Sequence, residues 1–269
     1  MTDALTARNA RVAAARKLTR RAGRDAAGLF LAEGRQAVVE ALAAGVAQEV
    51  FVTGSAAATH HELLAGAGVP VRLVTDEAAG GLSETATPQG LVAVCPLRDV
   101  PAATLATDPP QLAVALAELN DPGNAGTVLR TADACGARTV VFGSGSADPF
   151  QGKVVRSSAG SLFHVDVVRS APLEPLLDDV RAAGVTVLAA AGDGEVALDA
   201  AGAEGLLGGR VLWLFGNEAR GLAPALAARA DHRVRVPMRG RAESLNLSVA
   251  AAICLYATQL AQDDHMRSR

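Results

Sequence analysis

Polar residues that could bind a ligand or take part in catalysis follow an apolar run. They lie in the stretch Asn120-Asp-Pro-Gly-Asn-Ala-Gly-Thr-Val-Leu-Arg130. Asn-Asp-Pro-Gly is typical of a turn, and Asn124 stands where a side chain could accept the first free amides of a helix. Arg130 would share a helical face with Gly126 and Ala134, whose small side chains leave a guanidinium unobstructed. The sequence therefore predicts an arginine suited to bidentate binding of a phosphate or carboxylate, with a simple surface arginine as the alternative.

A second loop, Leu214-Phe-Gly-Asn-Glu-Ala-Arg-Gly-Leu222, continues a wholly apolar strand. Gly216 at its start would allow the backbone to approach a ligand closely. Glu218 could pair with an arginine or bind a ligand amine, or it could interact only with the dipole of a helix beginning near Pro224. We interpret it as a site residue.

A third loop, Val236-Pro-Met-Arg-Gly-Arg-Ala-Glu-Ser-Leu-Asn246, leads into a long apolar helix. Ser244, Leu245 and Asn246 would lie at the start of that helix, where backbone amides are free. Ser244 or Asn246 could serve a site or merely cap the helix. The pattern Pro-Met-x-Gly-x-x-x-Ser-Leu-Asn before an apolar helix is much less common in proteins than a simple helix cap.

Strands and helices alternate from residue 112 onward, which predicts a parallel α/β sheet. In this pattern the first loop joins a strand over 112–119 to a helix over 127–135. Ligands of such sheets bind beyond the carboxyl ends of the strands. The three loops would occupy that edge, each after its own strand.

A smaller α/β domain is predicted over residues 1–95. Its pattern indicates a helix over 4–20, a turn over 23–28 and four strand-like runs. The prolines at 96, 101, 109 and 110 cannot continue a helix or strand, so we assign 96–110 as a linker and 111–269 as the second domain.

The charge of the chain is unevenly distributed. The net charge is only -3, yet residues 1–35 hold more basic than acidic side chains. The basic ones are Arg8, Arg11, Arg16, Lys17, Arg20, Arg21, Arg24 and Arg35, and the acidic ones are Asp3, Asp25 and Glu33. Such a patch could bind nucleic-acid phosphates or could be a solvated helix face.

Several classes of protein are disfavoured by composition. No apolar run is long enough for a membrane span, and the start Met1-Thr-Asp-Ala lacks a signal segment, so we expect a soluble cytoplasmic protein. The three cysteines at 95, 135 and 254 are predicted to be buried reduced thiols. The five histidines show no ligand spacing, and no metal is expected. Few aromatic residues are available to stack on bases, which favours recognition of RNA shape and phosphates.

Taken together, the three loops resemble motifs one, two and three of the SpoU (TrmH) branch of the SPOUT RNA methyltransferases. Residues 112–260 resemble the catalytic domain, while 29–34 and 85–90 resemble the substrate-binding domain that precedes it. The resemblance implies a carboxyl-terminal parallel-sheet SPOUT domain tied in a deep trefoil knot, which periodicity and composition alone would not reveal. It also implies a homodimer, S-adenosylmethionine as cofactor, and transfer of its methyl group to a ribose 2′-hydroxyl of RNA.

Roles for individual residues follow from the same resemblance. The positions that match cofactor-binding residues are Gly216, Val236 and Leu245. The position that matches the proposed catalytic arginine is Arg130, with Asn124 beside it, and we hypothesise that Glu218, Ser244 and Asn246 complete the catalytic set by orienting the reacting groups. A second arginine, used in relatives that act on ribosomal RNA, matches Arg156. The basic residues proposed to contact RNA in the first domain are Arg16, Arg20, Arg21 and Arg35.

Three alternatives remain at this point. A transfer RNA methyltransferase of the same branch is possible, although the added amino-terminal domain favours ribosomal RNA. An RNA-binding protein that has lost catalysis is the second, and the intact polar residues of the three loops oppose it. A dinucleotide-dependent oxidoreductase is the third, and it lacks the required G-x-G-x-x-G, since Gly143-Ser-Gly145 has no third glycine.

Overall fold

The computed structural model describes residues 4–267, which divide into two compact units. The first unit contains the chain up to Arg98 together with Asp148–His164, and the second contains Asp99–Ala147 and the chain from Val165 onward. The chain therefore passes between the units at 98/99, 147/148 and 164/165. The interpretations that rest on Met1–Asp3, namely the lack of a signal segment and the charge of Asp3, lie outside the described residues.

The first unit is built around a mixed sheet of four strands, in the order β1-β4-β2-β3. Its elements up to residue 98 are α1 (Ala10–Lys17), α2 (Arg21–Ala27), β1 (Leu29–Glu33), α3 (Arg35–Ala43), β2 (Glu49–Val52), α4 (Gly54–Thr59), α5 (His61–Ala65), β3 (Val71–Leu73), α6 (Asp76–Gly80) and β4 (Leu91–Pro96). Strand β4 runs antiparallel to β1 and β2, whereas β2 and β3 are parallel.

Two predictions for the amino-terminal segment are wrong. The helix predicted over 4–20 begins only at Ala10, because Leu5 instead bonds to the neighbouring backbone, its amide donating to the Leu73 carbonyl (2.8 Å). The turn predicted over 23–28 is the helix α2, and only Gly28 at its end has the left-handed conformation (φ 65°). The prediction was wrong because Gly23 was taken as the start of a turn. A glycine inside a short helix is tolerated where tertiary contacts support the helix.

The second unit is built around a seven-stranded sheet, in the order β7-β6-β5-β10-β8-β11-β9. The remaining elements of the chain are α7 (Thr104–Thr107), β5 (Leu112–Leu116), α8 (Pro122–Ala134), β6 (Thr139–Gly143), α9 (Gly152–Ser157), β7 (Asp166–Ala171), α10 (Leu173–Ala182), β8 (Thr186–Ala190), β9 (Val196–Ala197), α11 (Leu198–Ala203), β10 (Val211–Phe215), α12 (Pro224–Ala227), β11 (His232–Arg235) and α13 (Leu247–Arg267). Every strand pair of this sheet is parallel, which confirms the prediction.

Several element boundaries in the second half differ from the prediction, and the strand predicted over 112–119 ends at Leu116. The helix expected from Thr127 begins at Pro122, because Asp121 caps it by accepting the amide of Asn124 (2.7 Å). Asn124 is therefore inside α8, and its prediction as the cap is wrong. The short elements β9 and α11 were not predicted. The stretch 96–110 contains the last residue of β4 and the helix α7, since its prolines lie at element ends where a missing amide is tolerated.

The long helix α13 is fastened to the second sheet by buried polar contacts. The indole nitrogen of Trp213 in β10 donates to the Thr258 hydroxyl (2.9 Å), and both residues are fully buried. The Gln262 amide donates to the carbonyls of Gln111 (3.0 Å) and Gly209 (2.9 Å). These contacts fix how α13 lies on the sheet, and therefore where its first residues lie.

Replacing Thr258 by valine is expected to destabilise the protein by about 1–3 kcal/mol, because the Trp213 N–H would be buried without an acceptor. Urea unfolding followed by tryptophan fluorescence measures this, since Trp213 is the one tryptophan of the chain. Thr258→Ser keeps the hydroxyl and is the matched control. Equal destabilisation by the two variants would contradict this explanation, because Thr258→Ser keeps the acceptor for the Trp213 N–H.

The cysteines are buried and form no disulfide, as predicted. Burial raises the pKa of both Cys95 and Cys254 to about 12, and it also raises the pKa of Cys135. These thiols are therefore protonated at neutral pH and are poor nucleophiles. Among residues 4–267, no helix has the length and apolarity needed to cross a membrane.

Candidate active site

The three polar loops follow strands of the second sheet that run in the same direction. Strand β5 leads to Asn120–Arg130, β10 leads to Gly216–Leu222, and β11 leads to Val236–Asn246. Because all strand pairs in this sheet are parallel, the carboxyl ends of these strands meet at one edge. The prediction that this edge holds the site is consistent with how the loops contact each other.

Asn124 connects the other two loops. Its side-chain nitrogen donates to Oε1 of Glu218 (3.2 Å), and its side-chain oxygen accepts from the Asn246 side-chain nitrogen (3.2 Å). One residue from each loop thus takes part in a single chain of hydrogen bonds. Three of the residues predicted to be catalytic are brought together in this way.

The direction of this chain is set by helix α13. The Asn246 side-chain oxygen accepts from the Ser248 amide (2.9 Å) and hydroxyl (2.7 Å) at the start of the helix. Its nitrogen must therefore face Asn124, whose own nitrogen is then turned towards Glu218. Asn246 consequently both caps the helix and joins the chain of hydrogen bonds, so a capping role and a predicted site role are compatible.

Asn124→Asp is expected to lower the rate of the methyl transfer implied by the family resemblance about tenfold, because a carboxylate would replace the donor that faces Glu218. The initial rate of methyl transfer, compared between variant and wild type, measures the effect. Asn120→Asp makes the same change in the same loop, and the Asn120 side chain has no hydrogen-bond partner among the described residues. A similar loss in both variants would show that loop charge alone is responsible.

A cavity of about 420 Å³ lies beside this chain of hydrogen bonds. All three positions predicted to bind the cofactor line it, together with three of the positions predicted to be catalytic. These are Gly216, Val236, Leu245, Glu218, Ser244 and Asn246. Its volume is within the range of small-molecule sites, and its wall combines apolar side chains with a few polar groups.

The sequence interpretation missed one wall of the cavity. Ala190, Ala191 and Gly192, at the end of β8 and just after it, line the same cavity, yet none has a side chain that suggests chemistry. Their only signal is position, since β8 lies between β10 and β11 in the sheet. A strand order would have been needed to find them.

Gly216 is required by the loop itself. A Cβ at this position would lie 2.4 Å from the carbonyl carbon of Gly221, which is closer than real Cβ contacts. The loop closes here, with Asn217 and Gly221 exchanging backbone hydrogen bonds of 2.9 and 2.8 Å. The close approach predicted for Gly216 is therefore made to the backbone of its own loop, although the residue also lines the cavity.

Glu118 is a further residue that the sequence did not reveal. It follows β5 with a positive φ of 52°, which is uncommon for a residue with a side chain. Its carbonyl accepts from the Asn217 side chain (3.0 Å), and its carboxylate accepts from Arg220 (2.7 Å). The second loop thus holds the start of the first loop in a strained conformation.

Arg130 lies on α8 and is exposed. Its side chain makes no hydrogen bond or ion pair within the described part of the chain, and it is not among the residues that line the cavity. Its guanidinium is thus available to a ligand outside this cavity. The position of Arg130 neither supports nor contradicts a catalytic role, which stays a prediction.

The predicted RNA-binding arginines all belong to the first unit. Arg16, Arg20 and Arg35 have side chains without a partner among the described residues, and Arg20 and Arg35 are exposed, whereas Arg21 pairs with Asp25 (3.6 Å). Arg156 pairs with Glu33 (2.5 Å). Arg24, another arginine of the basic count, is instead buried against Asp148 (2.6 Å), so it adds no free charge to the surface.

Within residues 4–267, no group of three or more His, Cys, Asp or Glu side chains could hold a metal ion. The polar residues at the cavity are amides, hydroxyls and single carboxylates rather than a ligand cluster. They are suited to orienting groups by hydrogen bonds.

Comparison with known proteins gives matches over both units. Residues 111–256 match the model of the SpoU rRNA Methylase family, and residues 9–93 match the model of an MRM3-like substrate binding domain. The 23S rRNA (guanosine(2553)-2′-O)-methyltransferase RlmP of Bacillus subtilis is 36% identical, over 93% of this chain and 96% of its own.

Solved structures are also similar over nearly the whole length. An AdoMet-bound rRNA methyltransferase from Sinorhizobium meliloti is 30% identical with a TM-score of 0.79, covering 96% of this chain and 97% of the other. The SpoU methyltransferase AviRb from Streptomyces viridochromogenes, in complex with AdoMet, is 28% identical with a TM-score of 0.79, covering 95% and 100%.

Proposed function

The chain belongs to the SpoU rRNA methylase family, and we propose that it transfers the methyl group of S-adenosylmethionine to one ribose 2′-hydroxyl of ribosomal RNA. The observation that carries this proposal is the hydrogen-bonded chain from Asn246 through Asn124 to Glu218, which borders the cavity. It supplies a fixed carboxylate and fixed amides next to a space large enough for a small molecule.

The cavity fits S-adenosylmethionine in size and in chemistry. Val236, Met238 and Leu245 offer apolar surface for an adenine ring, and Glu218 offers a carboxylate for an amine or hydroxyl. The closed Asn217–Gly221 loop offers backbone groups at a rigid edge. When bound, the cofactor supplies an electrophilic methyl carbon.

Arg130 acts on the RNA in this mechanism. An arginine stays protonated at any working pH, so it is unsuited to be a general base. It holds the phosphate next to the target ribose and stabilises negative charge as the 2′-hydroxyl loses its proton. Glu218, Ser244 and Asn246 would orient the ribose oxygen towards the methyl carbon that the cofactor would supply, and the hydroxyl proton would pass to solvent.

The first unit binds the RNA. Its match to a substrate-binding family and the unpaired cations Arg16, Arg20 and Arg35 support this role, because phosphate contacts provide most of the sequence-independent affinity. The B. subtilis relative is named for 23S ribosomal RNA, which supports ribosomal rather than transfer RNA. Because this relative is bacterial, we propose that the enzyme works in the cytoplasm.

The second unit forms a homodimer, and its loops after β10 and β11 form the trefoil knot of the family. One face of α13 supports the dimer: Val249, Ile253, Tyr256 and Leu260 recur at helical spacing and are between 38% and 57% exposed. In the dimer Arg130 reaches towards the partner's cofactor. Sedimentation of the purified protein tests the association, and Tyr256→Glu is expected to give monomers.

Transfer of labelled methyl from S-adenosylmethionine to ribosomal and transfer RNA tests the proposed reaction. The modified position is mapped by the resistance of its 3′ linkage to alkali. We expect label at one ribose of ribosomal RNA. Label found only in transfer RNA would show that transfer RNA, and not ribosomal RNA, is the substrate. Failure of the protein to bind the cofactor would favour an RNA-binding protein without catalysis.

A further inference from the structure

Glu33, at the end of β1 in the first unit, is a buried carboxylate that accepts hydrogen bonds from three side chains. The Ser83 hydroxyl and the Thr85 hydroxyl (3.1 Å) donate to Oε1. Nη1 of Arg156 donates to Oε2 (2.5 Å). The Glu33 side chain is only 5% exposed, so this set of donors is what makes its burial tolerable.

The three donors come from two distant parts of the sequence. Ser83 and Thr85 lie within the range that matches the substrate-binding family, residues 9–93. Arg156 lies in α9, within the range that matches the methylase family, residues 111–256, yet it folds into the first unit. Glu33 therefore fastens a segment of the methylase sequence onto the substrate-binding unit.

The same segment is fixed at both of its ends. At its start, Asp148 accepts from Nε (3.1 Å) and Nη2 (2.6 Å) of the buried Arg24. At its end, Gly160 has φ 99° and packs so closely on Glu40 that a Cβ would lie 2.4 Å from its Cγ. Arg156 is thus carried on a rigid support, as expected for a residue that must present its side chain in one direction.

Glu33 occupies only part of the Arg156 guanidinium. The group has five N–H donors, and Glu33 is the one hydrogen-bond partner of the Arg156 side chain within residues 4–267. The Arg156 side chain is 25% exposed, so part of it reaches solvent. A guanidinium held by one nitrogen keeps donors for bidentate contact with a phosphate.

We propose that Glu33 is a positioning residue for RNA binding, which holds Arg156 so that its free donors meet one RNA phosphate. The inference rests on the proposed function, because it takes RNA as the ligand of the first unit. It assigns Glu33 no contact with RNA. Its effect on RNA must therefore pass through Arg156 and vanish when Arg156 is absent.

A double-mutant cycle tests this dependence in the full-length protein. The variants are Glu33→Gln, Arg156→Ala and the two combined, assayed for the KM of ribosomal RNA, kcat, and the affinity for S-adenosylmethionine. Glutamine keeps the size of the side chain and an acceptor for Ser83 and Thr85. Glu77→Gln in α6 is the control, because it removes one exposed carboxylate of the same unit without touching Arg156.

Glu33→Gln and Arg156→Ala are each expected to raise the KM for RNA about tenfold, with kcat and cofactor affinity unchanged. The combined variant should be no worse than Arg156→Ala alone. Arg156→Ala and Glu33→Gln should each also lower the slope of log affinity against log salt by about 0.7–0.9, the loss of one phosphate contact. A merely structural role for Glu33 would not change this slope selectively.

Additive effects, near a hundredfold in the combined variant, would overturn the inference, as would an unchanged KM in Glu33→Gln. If Glu33→Gln fails to fold, the Arg156→Lys variant tests the inference instead. Lysine keeps the positive charge opposite Glu33 but lacks the planar guanidinium for bidentate contact with a phosphate, so the KM for RNA must still rise. The wild type separates the two proposals. Absence of methyl transfer by the wild type refutes the proposed function, whereas additivity in an active enzyme refutes only the role of Glu33.

Discussion

Arg130→Ala is expected to abolish methyl transfer to RNA while the affinity for S-adenosylmethionine stays at the wild-type value. The Arg130 side chain is exposed on α8, does not line the cavity and makes no hydrogen bond or ion pair with a described residue, so its removal should leave the cofactor site unchanged. Loss of a preorganised group that stabilises charge in the transition state costs about a hundredfold to a thousandfold in kcat. Single-turnover transfer and calorimetric titration of the cofactor measure the two quantities separately.

The matched control and the conservative substitution sharpen this test. Arg210→Ala removes another exposed arginine of the second unit whose side chain has no described partner, and it should leave transfer unchanged. Arg130→Lys keeps the charge and loses the planar fork, so an intermediate rate is expected. Weaker cofactor binding in Arg130→Ala would contradict the assignment, because it would place the arginine in the cofactor site.

The sequence was sufficient to predict that the second sheet is parallel and to group the three polar loops at one edge of it. Continuous apolar runs such as Val211–Phe215 are typical of buried parallel strands, and their loops meet at one edge for geometric reasons. Side chains at the loop ends could therefore be grouped from strand order along the chain and loop composition. The contact of Asn124 with both Glu218 and Asn246 agrees with this grouping.

Element starts were harder to predict, because neighbouring polar residues compete for the same role. Asp121 and Asn124 are both good caps, and only the hydrogen bond from the Asn124 amide to Asp121 shows which one begins α8. The position of Asn124 inside the helix then turns its side chain towards the other loops. An error of a few residues in the helix start thus concealed how the site is connected.

The placement of Asp148–His164 could not be inferred from local patterns. The segment lies in the sequence between strands of the second sheet, yet two of its ion pairs are with Arg24 and Glu33, more than a hundred residues earlier in the chain. Hydrophobic periodicity reports which face of an element is buried and not which partner buries it. Arg156 was predicted as an RNA-binding residue from the family resemblance, and its carboxylate partner Glu33 could be found only from the tertiary structure.

Gly216→Ala is expected to abolish measurable binding of S-adenosylmethionine. The added Cβ would lie 2.4–2.6 Å from backbone atoms of Gly221 and Leu222, and backbone cannot give way as the end of a side chain can. The Asn217–Gly221 hydrogen bonds would have to break, and the loop would leave the cavity wall. We expect the affinity for S-adenosylmethionine to fall at least about a hundredfold. The displaced loop would lose its close packing against the cofactor, and binding would have to pay for reordering it.

Gly240→Ala is the matched control for this substitution. Gly240 belongs to the loop after β11, and a Cβ there would meet nothing within 4 Å, so cofactor affinity should be unchanged. Thermal unfolding of both variants separates a local change from loss of the fold, since the buried strand β10 ends before Gly216. If Gly216→Ala binds the cofactor normally, the loop does not form the wall of its site. Loss of cofactor binding in Gly216→Ala, together with loss of transfer but normal cofactor binding in Arg130→Ala, would show that the two steps depend on different segments at the same edge of the sheet.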